Sequence, residues 1–251
     1  YCIIFCSSND IWYPNTKEAF EESILKRDRY EWTNIACHQA SKKIYIRDIY
    51  KSWYVTGINS RIDTIDKLVE YLRKETEGYK VITIGSSSGG YMSALLSYLL
   101  KAEYAIAFSA QFELRNKWAM DVNPYLQKYN ADEKRAQYYD LKPILIKSNI
   151  PIFYIVPIKC NQDSYHWQHI KDVPCVRCLT FSSKHHGVVL FKNNLGKFIS
   201  TPKEDLEHLF AENNGKSLSP FIFSIKMVGL ISTVQYFITT GVKVLNRKIF
   251  K

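Results

Sequence analysis

Three polar clusters in this chain have residue types suited to nucleophilic catalysis. The first is Gly85-Ser86-Ser87-Ser88-Gly89-Gly90, a G-x-S-x-G pattern centred on Ser87. A serine hydroxyl is a weak nucleophile until a base takes its proton, and that base needs a carboxylate to orient it. Asp163 offers the carboxylate within Cys160-Asn161-Gln162-Asp163-Ser164-Tyr165-His166, and imidazoles follow in His185-His186-Gly187. Together they provide for acyl transfer through a covalent acyl-serine, with Ser87 as nucleophile, His186 as base and then acid, and Asp163 as orienter. Gly187 lets the backbone turn close to the serine, which favours His186; His185 is the alternative base. Asp172 is a reserve acid, placed nearer the following strand than the preceding one.

The elements that must position these groups are legible around them. Residues 81–84 are a β-branched run of the kind that forms a buried parallel strand, and 91–100 are apolar and helix-forming. Strand, glycine turn and helix is the context a serine elbow requires, because the bend leaves no room for side chains two positions to either side. The amide of Ser88 then opens a helix, where exposed N–H groups and the helix dipole favour a negative oxygen. A second donor is expected from the backbone of Ser7 or Ser8, after an early strand over 1–6.

The rest of the chain alternates in the same way. Helices are predicted over 16–26, capped by Thr16, and over 63–75, where Ile65, Leu68, Val69 and Leu72 share one face. Strands are predicted over 1–6, 32–37, 43–46, 52–56, 104–108, 151–156 and 175–181. Thr201-Pro202-Lys203-Glu204 reads as a helix start with Thr201 as cap. Strands alternating with helices imply an α/β domain with a mostly parallel sheet and helices on both faces, spanning 1–220. Both the Asp163 loop and the His186 loop are then expected at the carboxyl edge of the sheet, beside Ser87. Residues 112–149, rich in tyrosine and containing Trp118, read as a partly helical cover whose aromatics can receive a saccharide.

Composition limits the alternatives. The chain has 251 residues, 46% of them hydrophobic and 14% aromatic, enough for a sizeable core. A net charge of +10 favours anionic partners, but the basic residues are scattered and no nucleic-acid motif accompanies them. The six cysteines have no disulfide-framework spacing, and Cys175-Val176-Arg177-Cys178 falls inside a predicted strand. Reduced thiols and a cytoplasmic protein without a signal peptide are the expectation. The chain opens on an apolar run without methionine, which leaves residues upstream of Tyr1 open. A metal site from Asp163, His166, His169 and His185 or His186 would leave the elbow unexplained, so no metal is expected.

The tail, 221–251, is apolar but interrupted by Lys226 and followed by Lys243, Arg247, Lys248 and Lys251. It is too polar to span a bilayer. Two readings remain: a terminal helix packed on the domain, which is favoured, and a peripheral helix against an anionic membrane face.

On Gly85-Ser86-Ser87-Ser88-Gly89-Gly90, the Asp163 segment and His186-Gly187, the chain resembles the α/β-hydrolase superfamily over nearly its whole length. More narrowly it is similar to the capsular polysaccharide O-acetyltransferases of bacteria. That likeness rests on Ile3-Ile4-Phe5-Cys6-Ser7, Trp53-Tyr54-Val55-Thr56-Gly57, Gly85-Ser86-Ser87-Ser88-Gly89-Gly90, Ala110-Gln111 and Asp163-Ser164-Tyr165-His166. The resemblance implies transfer of an acetyl group from acetyl-coenzyme A to a sugar hydroxyl, with no resident cofactor; a carboxylesterase or thioesterase is the alternative. Gln111, Trp118 and His166 are the candidate substrate-lining residues. A third reading is a non-catalytic interaction protein that has kept the fold.

Overall fold

A computed structural model describes residues 1–249, with the side chains of Val122 and of residues 241–251 outside that description. Seven strands build one sheet: β1 (Cys2–Cys6), β2 (Lys42–Ile46), β3 (Val81–Ser86), β4 (Tyr104–Phe108), β5 (Ile152–Pro157), β6 (Val176–Phe181) and β7 (Ser217–Leu218). Their order is β2-β1-β3-β4-β5-β6-β7, and every pairing is parallel. The chain leaves β1 toward β2 on one side and returns as β3 on the other. A crevice therefore opens at the carboxyl ends of β1 and β3, the position where doubly wound sheets bind ligands.

The period-two pattern of the strands divides the core into two layers. Ile4, Ala105, Ala107 and Tyr154 face one side, with Leu68 and Leu72 of α2 (Ile65–Glu75) and Leu95 of α3 (Ser88–Leu99). Ile3, Phe5, Ile82, Ile84, Ile106 and Phe108 face the other, against Phe198 of α9 (Lys192–Ile199) and Phe210 of α10 (Lys203–Glu212). α3 comes close to the end of β4 and the residues after it: a Cβ on Gly90 would stand 2.8 Å from that of Ala110 and 3.0 Å from the Phe108 carbonyl oxygen. This is an α/β fold, with an all-parallel sheet and helices on both of its faces.

Four short helices, α4 (Lys117–Val122), α5 (Pro124–Lys128), α6 (Glu133–Ala136) and α7 (Lys142–Leu145), make up the excursion between β4 and β5. The helix predicted over 16–26 is α1 (Lys17–Phe20), capped by Thr16, running into π-helical turns at Glu21–Lys26. The chain closes with α11 (Pro220–Val228) and α12 (Leu230–Ile249), separated by Gly229 at φ 85°.

Three local expectations are corrected. Residues 32–37 are a bend, a turn at Thr33 and Asn34, and irregular chain, with Trp32 in the left-handed region and its indole N–H donating to the Cys6 carbonyl at 3.2 Å. Residues 52–56 are turns as well, because the buried carboxylate of Asp48 gathers the amides of Tyr50 (2.9 Å), Ser52 (2.5 Å) and Tyr54 (2.9 Å). Such a nest cannot coexist with strand pairing, and it places Trp53 and Tyr54 at positive φ. At the start of α10 the cap is Pro202; the Thr201 hydroxyl instead donates back to the Lys197 carbonyl at 3.0 Å.

Candidate active site

The turn between β3 and α3 holds Ser87 at φ 55° and ψ −122°, a conformation a non-glycine residue adopts only when its surroundings enforce it. Two contacts do so. The Ser87 amide donates to the Phe108 carbonyl at 2.9 Å, and α3 starts at once, with Tyr91 N–H donating to Ser87 O at 3.0 Å. Gly85 and Gly89 make the bend sterically possible: a Cβ on Gly85 would lie 2.1 Å from Gly89 O, and one on Gly89 2.2 Å from Cys6 O.

The Ser87 hydroxyl lies 2.9 Å from His186 Nε2, and His186 Nδ1 lies 3.0 Å from both carboxylate oxygens of Asp163. In the tautomer consistent with these contacts, Oγ–H donates to Nε2 and Nδ1–H donates to the carboxylate. Asp163 is fully buried while His186 opens to solvent. Among the three contacts made here, none involves His185. Asp163 was expected in a loop; it sits in the first turn of α8 (Asn161–Ile170), where its charge is favoured by the helix dipole.

The histidine loop is held by a residue that sequence reasoning missed. Ser109, just past β4 at φ 45°, accepts a hydrogen bond from the Gly187 amide at 3.0 Å and donates to the Gly187 carbonyl at 2.7 Å. Both backbone polar groups of Gly187, the residue that follows His186, are thus tied to one hydroxyl. Its only sequence signal is its place, directly after a core strand neighbouring the elbow.

The amides of Ser88, Gly89 and Gly90 open α3 and have no intrahelical carbonyl to meet, so this edge offers donors to an oxyanion. The expected partners from Ser7 and Ser8 are corrected. The Ser7 amide extends the sheet to Ile46 O at 2.9 Å, and the Ser8 amide donates to Glu31 Oε2 at 2.7 Å. The Ser8 hydroxyl donates to the other oxygen of Glu31 at 2.9 Å. Burial pushes the Glu31 carboxyl above its ordinary range, and the two bonds from Ser8 pull it back in part. The next amide, that of Asn9, begins a 3-10 turn (Asn9–Ile11), and Asn9 lines a cavity together with Ser87.

Two cavities meet at Ser87 and His186. One, of about 270 Å³, is walled by Trp53, Trp118, Gln111, Asn123, Gln162 and Lys51 among others. The other, of about 590 Å³, runs past Glu31, Trp32, Arg29, Val188 and Lys192. Trp118 is 47% exposed and meets Trp53 edge-on at 6.2 Å. Gln111 is buried; its side-chain oxygen accepts from the Trp53 indole at 2.6 Å, so it orients an aromatic wall.

His166 does not line either cavity, contrary to expectation. It is buried, its Nδ1 accepts from the Phe112 amide at 3.2 Å, and burial, reinforced by His169 and His186, pushes its pKa down to about 3. The metal set of Asp163, His166 and His169 is not assembled either, since His169 Nε2 pairs with Asp140 at 2.8 Å. Among the described residues the grouping of metal-ligand types is Cys160, Asp163 and His186. There both Asp163 oxygens already face His186 Nδ1, and burial, with the Asp163 charge nearby, pushes the Cys160 thiol up. Both conditions oppose thiolate–metal ligation.

No family model matches this sequence, and no curated protein does. Solved structures resemble it in fold. One is a capsule O-acetyltransferase of Neisseria meningitidis serogroup A, with 13% identity over 71% of this chain and 78% of that one, at TM-score 0.47. Another is a thermophilic esterase of Thermogutta terrifontis, with 12% identity over 85% and 83%, at TM-score 0.44. A third is acetyl xylan esterase 1 of a Thermoanaerobacterium species, with 9% identity over 71% and 66%, at TM-score 0.41.

Proposed function

We propose that this chain is an enzyme of acyl transfer that works through an acyl-serine on Ser87. The observation that carries the reading is the relay from Ser87 Oγ to His186 Nε2 (2.9 Å) and from His186 Nδ1 to Asp163 (3.0 Å), on a strained elbow. In the first half-reaction Ser87 Oγ attacks the acyl carbon while His186 Nε2 takes its proton. The tetrahedral oxyanion faces the opening amides of α3, with Ser88 as first donor and Asn9 in place of Ser7 and Ser8 as second. Collapse breaks the bond to the leaving group, which receives the proton from Nε2. In the second half-reaction an acceptor hydroxyl passes its proton to Nε2 and attacks the acyl-serine; collapse breaks the acyl–Oγ bond, and Ser87 Oγ takes the proton back from Nε2. Asp163 holds the imidazole and stabilises its charged form throughout.

The acceptor we favour is a saccharide hydroxyl, with acetyl-coenzyme A as donor. The small cavity supports this through Trp118, which is exposed beside Trp53 and offers a face to a sugar ring, and through Gln162, whose side-chain Nε2 has no partner among the described residues. The second reading is an esterase, in which water replaces the sugar; the solvent exposure of His186 favours it, because water reaches the acyl-serine.

The test is covalent. A fluorophosphonate is expected to label the wild-type chain, and Ser87→Ala to lose both labelling and ester or acetyl-coenzyme A turnover with the fold intact by circular dichroism. Retained turnover in Ser87→Ala would remove Ser87 from the chemistry. Turnover of acetyl-coenzyme A that rises only with added saccharide supports transfer; turnover indifferent to saccharide supports hydrolysis.

A further inference from the structure

Where α11 and α12 meet α9, a buried polar trio lies beside Phe223, whose ring packs on Phe198 at 6.3 Å. The Ser224 hydroxyl donates to Asn194 Oδ1 at 3.1 Å and lies 2.9 Å from Thr233 Oγ1, and all three residues are fully buried. One stripe of the outward surface is apolar, with Ser232, Gln235, Thr239 and Thr240 exposed beside it. Leu230 is 57% exposed, Ile231 73% and Ile238 61%, with Ile222, Val234 and Phe237 also open to solvent. On α12 the outward positions 230, 231, 234 and 238 follow helical spacing, so they form one stripe. A contiguous apolar face of this kind on a soluble chain marks a surface that is covered in use.

Charge identifies what covers it. After Glu212 the sequence contains no acidic residue and six basic ones: Lys216, Lys226, Lys243, Arg247, Lys248 and Lys251. A second copy of the same chain would add a like excess of cations, which repels. An anionic lipid surface accepts both the apolar stripe and the excess of cations that this part of the sequence carries. The aromatics fit the same place, since Phe221 and Phe237 are partly exposed and their rings lie 5.5 Å apart. Among the described residues no helix is long and apolar enough to cross a membrane, so the helix would lie in the interface.

We propose that α11 and α12 dock this protein onto an anionic bilayer surface, with the stripe Leu230, Ile231, Val234 and Ile238 in the acyl boundary. This goes beyond the proposed chemistry and does not depend on it. It also orients the catalytic cleft. Phe191 stacks on Tyr236 at 5.7 Å and meets Phe237 edge-on at 4.8 Å, and its neighbours Val188 and Lys192 line the larger cavity at Ser87. Docking therefore brings the mouth of that cavity beside the lipid.

Vesicle flotation of the full chain tests it. The wild-type chain is expected to float with vesicles of phosphatidylcholine mixed with phosphatidylglycerol, far less with phosphatidylcholine alone, and less as salt is raised. Ile231→Asp and Ile238→Asp are each expected to weaken binding by about tenfold or more. Both positions are exposed, and unchanged circular dichroism and urea midpoints of the variants check that the fold survives. Ser87→Ala is expected to float like the wild type, which separates docking from catalysis. Failure of the wild-type chain to float with the anionic vesicles overturns the proposal. So does undiminished binding by the two aspartate variants, or a wild-type dimer that these variants convert to monomer.

Discussion

At the scale of the residue, the site is a set of contacts made by groups far apart in the chain. His186 reaches Ser87 across 99 positions and Asp163 across 23, and Ser109 holds Gly187 across 78. The buried imidazole of His166 shows how such contacts become stability. Its folded pKa of about 3 lies below the ordinary 6.5, so above pH 6.5 both folded and unfolded forms are neutral and nothing is lost. As pH falls from 6.5 toward 3, only the unfolded chain takes the proton. Folding then weakens by roughly 1.4 kcal/mol per unit in this window. His166→Asn keeps an acceptor for the Phe112 amide and removes the titration. Urea unfolding between pH 7 and pH 4 is expected to show a shallower loss for the variant; parallel profiles would mean that His166 protonates without unfolding.

At the scale of the element, the elbow and α3 are one unit, because the glycines that permit the bend also permit the helix to approach β1 and β4. Gly89→Ala sets a Cβ 2.2 Å from the Cys6 carbonyl oxygen, which is backbone and cannot swing aside. A loss of about 3 kcal/mol or more is expected, read as a lowered urea midpoint. Gly196→Ala is the contrast. Its Cβ would meet Ala36 O at 3.4 Å, an ordinary contact, and α9 gains a better helix former. A gain of about 0.5 to 1 kcal/mol is expected there, and a loss as large as that of Gly89→Ala would refute the steric account.

At the scale of the whole molecule, the sheet grades from centre to edge. β1, β3, β4 and β5 each pair on both sides and lie between two apolar layers, whereas β7 has two residues and pairs only through Ser217 and Leu218. Amide hydrogen exchange in the native protein is expected to be slowest at Ile4, Ile84, Ile106 and Ile155, and faster by orders of magnitude at Ser217 and along α12. Equal protection in β7 and β4 would contradict the grading. This arrangement also separates tasks: the centre of the sheet holds the elbow rigidly, and the α11–α12 face is the part free to meet another surface.

Much of this was legible in the linear sequence, and the remainder had a common cause. The alternation of strands and helices, the elbow glycines and the order of serine, carboxylate and histidine are written in short windows, because hydrophobic periodicity and steric room at a bend are local properties. Only the folded chain decided that His186 and not His185 meets Ser87, that Asp163 opens a helix, that Glu31 occupies the Ser8 amide, and that Asp48 coils residues 52–56 into turns. Those outcomes depend on hydrogen bonds between groups that become neighbours only after the sheet has formed. The outward apolar stripe of α12 belongs with them, since helical spacing marks a face but tertiary packing chooses which face is buried.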